Sequence, residues 1–415
     1  MSCLDELGKN AKKAKAFMNT LGEEERNRAL LLVAENLIKD SESILEANGK
    51  DVENAKNNGM HPGMLDRLTL TLPRIEAIAE GVRQVKELPD PTGRLLDTYN
   101  HANGMKIEKV SVPFGVIGMI YESRPNVTVD AFALAFKSGN VAILKGGRDI
   151  INSNIAIVAS IKNSLRALSI DENAVILITD TDRSVTLELM RRKDFVDLLI
   201  PRGGAGLIKS VVENSLVPVI ETGTGNCHIY VDSDFNLEYA LNIIFNAKTQ
   251  RIGVCNAAES LVVHRDSLSK LLPELEKKLA QKQVEMRADD EAMGFLSNGI
   301  TATEEDFYKE YLDYILSIKT VGSIDEAIEH INEHSTGHSE CIITNIRENI
   351  ERFQREIDSA CVYANVTTRY SDGFEFGLGA EIGISTQKLH ARGPMGLNEL
   401  TTYKYIITGN GQVRP

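Results

Sequence analysis

The sequence predicts an α/β protein with two parallel sheets, the first of the doubly wound type and the second in a separate α/β domain. Apolar strand-like runs alternate with helical stretches between residues 115 and 221, and a second alternating set begins near residue 228. Strands this apolar indicate parallel sheets covered on both faces. The length of 415 residues also exceeds what one ordinary core organises, so at least two domains are expected.

Five buried strands are predicted for the first sheet, at residues 115–121, 141–145, 175–179, 196–201 and 217–221. Helices are predicted between them, at about 128–137, 150–168, 183–193 and 206–214. Because crossover connections are right-handed, this alternation predicts a doubly wound, nucleotide-binding sheet of the Rossmann type.

Residues 1–90 are predicted to be helical. Thr20 and Glu23 suit a capping box, and Ala29, Val33 and Leu37 follow at helical spacing.

The second sheet is predicted from six further runs. They are HIYVD (228–232), ESLVVH, VEMRAD, YILSIKTV, ECIITN and CVYANV.

Two segments lie outside both sheets. Asn103-Gly104 predicts a tight hairpin turn between extended flanks, whereas residues 401–409 form a late strand with no obvious partner in their own domain. An isolated hairpin and an orphan strand suit pairing across subunits. The sequence therefore predicts a homo-oligomer, a dimer or a tetramer.

The charge balance narrows the class of partner. The chain has 46 basic and 59 acidic side chains, a formal net charge of −13. Such a surface attracts neither nucleic acid nor an anionic membrane, so an anionic substrate needs a local basic pocket. The chain has no run of eighteen apolar residues, and its first residues lack the apolar core of a signal peptide, so a cytoplasmic location is expected.

Cys255 is the most informative of the five cysteines. It follows Gly253 in a stretch without charged neighbours, and Asn-Ala-Ala after it suits a helix start, where a thiolate is favoured. Arg251 and Lys248 stand nearby in sequence. From residue type alone an inert thiol is the more frequent outcome. The other cysteines Cys227, Cys341 and Cys361 lie in or before apolar runs that suggest core packing.

Seven motifs occur in an order that resembles the aldehyde dehydrogenase superfamily and, within it, the γ-glutamyl phosphate reductase family. They are YESRPNVTVDAF, LKGGRDIINSN, IPRGGAGLI, ETGTGNCHIYVD, NAKTQRIGVCNAAE, HSTGHSE and GAEIGISTQKLHARGPMGLNELTTYKY. The resemblance covers the chain from about residue 5 to its C-terminus.

The resemblance implies an aldehyde dehydrogenase-like fold and an activity. The implied domains are an NADP-binding domain (1–95 and 111–227), a catalytic domain (228–394) and oligomerisation segments (96–110 and 395–415). The implied reaction is the NADPH-dependent reduction of L-glutamyl 5-phosphate to L-glutamate 5-semialdehyde with release of phosphate, in L-proline biosynthesis. A separate glutamate 5-kinase is a candidate partner.

The resemblance also implies catalytic roles. Cys255 matches the nucleophile that forms a thioester, and Asn126 matches the asparagine that donates to the oxyanion. Glu221 occupies the position of the base that activates water. A reductase has no use for hydrolysis, so Glu221 instead orients the cofactor or carries a proton.

Cofactor-binding residues are implied at Lys145, Gly146, Arg148, Gly203, Gly204 and Glu310. Lys145 matches a lysine that contacts the adenosine ribose. Three residues on, members that use NAD carry a glutamate, whereas this chain has Arg148, whose guanidinium suits a 2′-phosphate. The alternative for Arg148 is a solvated residue at a helix start.

Substrate-binding residues are expected among the cations and histidines near these motifs, at Arg124, Arg251, His338 and Arg392. Arg124 and Arg251 are assigned to the phosphate end. His330, His334 and His338 have the spacing of a helix face, but Gly337 interrupts the helix, so no metal site is expected.

Two alternatives belong to other classes. One is an acylating dehydrogenase that uses coenzyme A in place of phosphate, and the other is a non-catalytic member of the superfamily. Dependence of the reaction on phosphate distinguishes the first, and absence of turnover in both directions distinguishes the second.

Overall fold

The computed structural model describes residues 3–414, apart from the side chains of Cys3 and Pro62. The chain divides into two compact units. The first contains the residues up to Glu221, the segment Gly377–Gly383 and the residues from Met395 onward, and the second contains Thr222–Phe376 and Ile384–Pro394. The second unit begins at Thr222.

Five helices open the first unit, as predicted. They are α1 (Cys3–Met18), α2 (Glu23–Lys39), α3 (Ser41–Asn57), α4 (Pro62–Leu68) and α5 (Leu72–Glu87). Ala29, Val33 and Leu37 on α2 are buried, as their helical spacing predicted.

The predicted capping box at Thr20 is wrong by two residues. Helix α2 is capped at Gly22, whose backbone N–H donates to a carboxylate oxygen of Glu25 at 2.7 Å. The hydroxyl of Thr20 instead donates to the carbonyl of Phe17 at the end of α1. A Thr hydroxyl satisfies either helix end, and here the preceding helix takes it.

A three-stranded antiparallel sheet belongs to the first unit. The predicted hairpin is present as β1 (Leu95–Asn100) and β2 (Lys106–Pro113), and the last strand, β16 (Thr401–Thr408), pairs with the other edge of β2. The expectation that the late strand lacks a partner in its own domain is therefore wrong. Its pairing with β2 closes a gap of nearly 300 residues, which no local pattern reveals.

The doubly wound sheet has the strand order β5-β4-β3-β6, with all neighbours parallel. Its strands are β3 (Val116–Tyr121), β4 (Val141–Gly146), β5 (Val175–Leu177) and β6 (Leu198–Arg202). Its helices are α6 (Pro125–Lys137), α7 (Ile151–Ala167), α8 (Arg183–Leu189) and α9 (Ala205–Asn214). Strands β3 and β4 are buried along their whole length, as expected for a sheet covered on both faces.

The fifth predicted strand, residues 217–221, is reduced to a single bridge between Val219 and Leu199. Pro218 has no N–H, so this segment cannot supply a continuous ladder to β6.

The second unit contains a seven-stranded parallel sheet of order β10-β9-β11-β8-β7-β12-β13. Its strands are β7 (Cys227–Val231), β8 (Ala258–His264), β9 (Glu285–Ala288), β10 (Ile300–Thr301), β11 (Ile315–Val321), β12 (Ser339–Ile343) and β13 (Cys361–Ala364). All six predicted strands are present.

The helices of the second unit are α10 (Leu237–Thr249), α11 (Leu268–Leu279), α12 (Asp290–Met293), α13 (Glu304–Phe307), α14 (Ile324–His334) and α15 (Arg347–Glu356). Two further short strands, β14 (Gly383–Ser385) and β15 (Gly393–Met395), pair with each other. Within residues 3–414, no helix is both long and apolar enough to cross a membrane.

Candidate active site

The first group of candidate residues lies where β3, β4 and β6 end. Strand order reverses between β3 and β6, and in open α/β sheets this switch point at the carboxyl ends is where ligands bind. Arg124 caps α6 directly after β3, and Asn126 lies in the first turn of that helix. Gly203 and Gly204 lead from β6 into α9.

Glu122 joins the two loops at the switch point. Its carboxylate accepts the backbone N–H of Gly204 at 3.0 Å. A Cβ at Gly203 would lie 2.4 Å from the same carboxylate oxygen, so a larger residue there would displace the Glu122 side chain. The glycines of this turn therefore permit close packing against the loop after β3.

Asn126 is oriented by its own helix. Its amide Nδ2 donates to Asp130 Oδ2 at 3.0 Å, one turn further along α6. Burial raises the pKa of Asp130 to about 6, although the hydrogen bond from Asn126 and the charge of Arg202 lower it. One amide hydrogen is used in this contact, and the second can serve an oxyanion.

Lys145 lies at the end of β4 and is 4% exposed. Burial lowers its pKa, while the charges of Asp180 and Asp182 raise it. Asp182 caps α8, and its pKa is lowered first by its hydrogen bonds with Ser184 and further by the charges of Arg148 and Lys145. The expected ribose site thus contains two carboxylates as well as its two cations.

The residues at this edge fit a dinucleotide. An ammonium has three donor hydrogens, and within the described part of the chain Lys145 donates one hydrogen bond, to the carbonyl of Gly146 at a long 3.4 Å. A buried, poorly satisfied ammonium suits the oxygen atoms of a ribose or a phosphate. Arg148 is exposed beside it. Gly146 itself has no room for a side chain, since a Cβ would lie 2.2 Å from Asn154 Nδ2.

The second group lies in the second unit, around Cys255. The expected helix after Cys255 is absent: residues 255–257 form a turn, and β8 begins at Ala258. The apolar run Leu261-Val262-Val263, with its two β-branched residues, favours the strand over a helix. A helix N-terminus therefore plays no part in the environment of this thiol.

Exposure separates Cys255 from the other thiols. Of the four cysteines whose side chains are described, Cys227, Cys341 and Cys361 are buried, as predicted, and Cys255 is partly exposed. Burial raises the pKa of Cys227 well above the usual value and that of Cys341 to about 12. Their burial and raised pKa both disfavour the thiolate, which is the nucleophilic form.

The loop before β7 packs directly behind Cys255. A Cβ at Gly225 would lie 1.5 Å from the carbonyl oxygen of Cys255, so the two backbones are in contact and only glycine is possible. The buried Cys227 thiol donates to the same carbonyl at 3.1 Å. The backbone N–H of Gly225 donates to Glu310 Oε1 at 2.7 Å, which places Glu310 beside this loop.

Lys248 does not serve as a cation for the thiol. Its ammonium and the carboxylate of Glu259 are both fully buried, 2.5 Å apart. Burial lowers the pKa of Lys248 and raises that of Glu259, and each charge opposes the shift of the other. Glu259 also accepts the backbone N–H of Leu312 at 3.1 Å. This buried ion pair therefore has a structural role.

Of the remaining candidates, His338 is buried, Arg392 forms an ion pair and Glu221 is partly exposed. His338 is fully buried, with Nδ1 2.8 Å from Ser339 Oγ. Arg392 donates to the carboxylate and the carbonyl of Asp358, both at 2.9 Å. Glu221 is partly exposed at the end of the first unit.

The three spaced histidines do not form one cluster. The rings of His330 and His334 stack on α14 with centroids 4.0 Å apart, and His334 Nε2 lies 3.0 Å from Glu304 Oε1. Among the described residues, no group of three or more His, Cys, Asp or Glu side chains is arranged to hold a metal ion.

Comparisons with known proteins show the family of this chain. The model of the aldehyde dehydrogenase family matches residues 2–313 and 298–406. The chain belongs to the aldehyde dehydrogenase family. Within that family it is similar to a γ-glutamyl phosphate reductase from Lachnospira eligens, with 56% identity over 414 residues covering 100% of both chains. A γ-glutamyl phosphate reductase from Carboxydothermus hydrogenoformans is 53% identical, over 98% of each chain.

Solved structures extend the comparison to the fold. A γ-glutamyl phosphate reductase from Thermotoga maritima is 47% identical and superposes with a TM-score of 0.98, covering 100% of both chains. A propionaldehyde dehydrogenase from Rhodopseudomonas palustris with bound CoA is 18% identical with a TM-score of 0.68, over 97% of this chain and 96% of that one. The second likeness shows the fold alone. The predicted aldehyde dehydrogenase-like fold and the resemblance to γ-glutamyl phosphate reductases are confirmed.

Sequence reasoning missed three residues at these two places. Gly225 lies in the ETGTG motif, where the repeated glycines were the available signal. Asp182 follows β5 in a short acidic stretch. Arg369 has no sequence signal, because its proximity to Cys255 arises from the return of the chain after β13.

Proposed function

We propose that this chain reduces L-glutamyl 5-phosphate to L-glutamate 5-semialdehyde with NADPH, releasing phosphate. The name of its relatives, γ-glutamyl phosphate reductase, supports the reduction of this substrate. The environment of Cys255 is the observation that supports this chemistry. Its side chain is partly exposed, and its backbone carbonyl contacts Gly225 and accepts a hydrogen bond from the Cys227 thiol. The other described thiols are buried. A nucleophile needs both access and a fixed position.

In the proposed mechanism the Cys255 thiolate attacks the acyl carbon. A carbon–sulfur bond forms, the bond to the phosphate oxygen breaks, and phosphate leaves with the electron pair. The amide of Asn126, held by Asp130, donates to the oxyanion of the tetrahedral state. The bound cofactor supplies the hydride that reduces the thioester. The resulting thiohemiacetal then releases the aldehyde and regenerates the thiolate.

The first unit is the proposed NADP-binding domain. Lys145 is proposed to contact the adenosine ribose and Arg148 its 2′-phosphate, with Gly203 and Gly204 at the pyrophosphate. Glu310 is proposed to contact the nicotinamide ribose from the second unit, which is the proposed catalytic domain. Glu221 orients the cofactor or carries a proton rather than activating water.

Substrate contacts are proposed at both ends of the glutamyl phosphate. Arg124 and Arg251 are proposed for the phosphate, and His338 and Arg392 for the amino-acid end. The burial of His338 and the ion pair of Arg392 with Asp358 make the second assignment the weaker one.

Oligomerisation is proposed through the three-stranded sheet. Its exposed large apolar residues are Leu95, Leu96, Tyr99, Tyr403, Tyr405, Ile406 and Ile407. A sheet with this much exposed apolar surface suits a contact with a second copy. A single monomeric mass in light scattering would rule this out. A complex with glutamate 5-kinase is proposed because acyl phosphates are labile, and separate elution of the two proteins would argue against it.

The test uses the reverse reaction. Glutamate 5-semialdehyde, phosphate and either NADP or NAD are supplied, and the absorbance of the reduced nicotinamide is followed. We expect reduction of NADP that requires phosphate, and a loss on the order of 10⁴-fold in Cys255→Ala. Cys341→Ala removes a buried thiol and serves as the matched control, with turnover retained.

Two results would contradict the proposal. Turnover without phosphate would indicate hydrolysis and restore Glu221 as a water-activating base, and turnover with coenzyme A in place of phosphate would indicate an acylating dehydrogenase. Activity retained in Cys255→Ala would remove the thioester mechanism altogether.

A further inference from the structure

The backbone of Arg369 is attached to the residue beside the nucleophile. Asn256 Nδ2 donates to the carbonyl oxygens of Arg369 at 3.2 Å and of Ser371 at 3.0 Å. In return, Thr368 Oγ1 donates to the carbonyl of Asn256 at 2.8 Å. Asn256 directly follows Cys255, so these three hydrogen bonds fix residues 368–371 against the turn at residues 255–257.

The side chain of Arg369 extends to a residue that precedes Cys255 in the sequence. Its Nε donates to Gln250 Oε1 at 2.8 Å, and Gln250 directly precedes Arg251. Arg369 is therefore bonded to the chain on both sides of Cys255, at Asn256 by its backbone and at Gln250 by its guanidinium. These bonds fix Arg369 to the segment that contains Cys255.

Electrostatic interactions agree with this placement. Burial lowers the pKa of Arg369 and the charge of Arg251 lowers it further, whereas the charges of Cys255 and Asp372 raise it. The two guanidiniums are thus close enough to repel each other. Two cations held side by side are destabilising unless an anion joins them.

Several other arginines of the chain form ion pairs with carboxylates. Arg192, Arg287 and Arg352 each pair with at least two carboxylates. Arg251 and Arg369 form no such ion pair within the part of the chain that the structure describes. In a protein of net charge −13, this is a local cationic site beside the nucleophile.

We propose that Arg251 and Arg369 together bind the phosphoryl group of the acyl phosphate, and inorganic phosphate in the reverse reaction. This inference rests on the proposed function. The substrate has a second anion, the α-carboxylate, but its carbon is four bonds from the acyl carbon, whereas phosphorus is two bonds away. Cations beside Cys255 are therefore placed for the phosphate. Each planar guanidinium can donate two parallel hydrogen bonds to the oxygen atoms of the phosphate.

The site assists the group transfer itself. When Cys255 Sγ bonds to the acyl carbon, the carbon–oxygen bond breaks and its electron pair stays on the phosphate. The negative charge on the phosphate grows as that bond breaks. Guanidiniums placed there bind the transition state more tightly than the ground state, which accelerates the step.

The experiment measures KM for phosphate in the reverse reaction. Arg369→Gln and Arg251→Gln are each expected to raise it about 10- to 100-fold, because each removes a charge-assisted contact. KM for NADP should be unchanged, and Arg369→Lys should recover part of the loss. Arg265→Gln, which removes an exposed arginine paired with Glu291, is the matched control with unchanged KM.

A second measurement does not depend on turnover. Inorganic phosphate should slow the alkylation of Cys255 by iodoacetamide in the wild type and fail to do so in Arg369→Gln. Arg251 is exposed, so Arg251→Gln provides the same test if Arg369→Gln does not fold.

Three outcomes separate the possibilities. An unchanged KM for phosphate in both variants would overturn this inference while leaving the proposed function intact. A rise confined to KM for the semialdehyde would also overturn it and assign the arginines to the α-carboxylate. Phosphate-independent turnover in the wild type would remove the proposed function itself.

Discussion

The two units present their candidate residues at opposite ends of their parallel strands. In the first unit Lys145 lies at the end of β4 and Gly203 follows β6, at the carboxyl edge where open α/β sheets bind ligands. In the second unit Gly225, Cys255 and Glu310 precede β7, β8 and β11, at the amino edge. The general rule for α/β sheets thus agrees with the proposed cofactor edge and does not extend to the proposed nucleophile.

The two regions also differ in how their cations are balanced. At the carboxyl edge of the first sheet, Lys145 and Arg148 share their surroundings with Asp182, which is exposed. At the amino edge of the second sheet, Lys248 is neutralised completely in the interior by Glu259. A phosphate at the proposed cofactor site would therefore meet an exposed carboxylate in the first region, whereas in the second region the carboxylate is buried in an ion pair.

The largest effect is expected from breaking the buried pair. Lys248→Met leaves the Glu259 carboxylate buried without its cation, and the free energy of unfolding should fall by about 3–5 kcal/mol. Urea denaturation measures this. Lys50→Met is the control, since Lys50 pairs with Glu46 on the surface and its removal should cost about 0.5 kcal/mol or less.

Comparable losses in Lys248→Met and Lys50→Met would show that burial does not distinguish the two ion pairs. A double variant, Lys248→Met with Glu259→Leu, should recover much of the stability of the single variant, because no unpaired charge remains.

An intermediate effect is expected at the cofactor edge. Arg148→Glu replaces the proposed partner of the 2′-phosphate by a repelling charge, so kcat/KM for NADP should fall roughly 10- to 100-fold relative to NAD. Steady-state kinetics with both cofactors checks this. Arg191→Glu makes the same charge change at another exposed arginine of the first unit and should leave the ratio unaltered. An unaltered ratio in Arg148→Glu would support a merely solvated arginine.

The smallest effect is expected from removing a competing carboxylate. Asp182→Asn keeps a side chain that caps α8, and it should lower KM for NADP by roughly two- to fivefold, since exposed charges are screened. Asp171→Asn, which changes another capping aspartate, is the control. If KM for NADP rises in Asp182→Asn, the carboxylate contributes to the cofactor site instead of opposing it.

Local patterns predicted most elements because each depends on short-range chemistry. The apolar runs of both sheets, the amphipathic helix α2 and the hairpin around Asn103-Gly104 all occur in the structure. The predictions that failed concern segments in which two local structures compete. Thr20 serves the end of α1 instead of the start of α2, Pro218 interrupts a strand-like run, and a strand rather than a helix follows Cys255.

The sequence by itself determined the alternation of strands and helices, the acidic surface, and the motifs that indicated the family and the nucleophile. Those properties depend on residue type and spacing, which the chain carries before it folds. Only the tertiary structure decided that β16 pairs with β2, that Lys248 forms an ion pair with Glu259, and that Arg369 is bonded to the segment around Cys255. Each of these is a contact between segments distant in sequence or a choice among several available ion partners, and packing makes that choice.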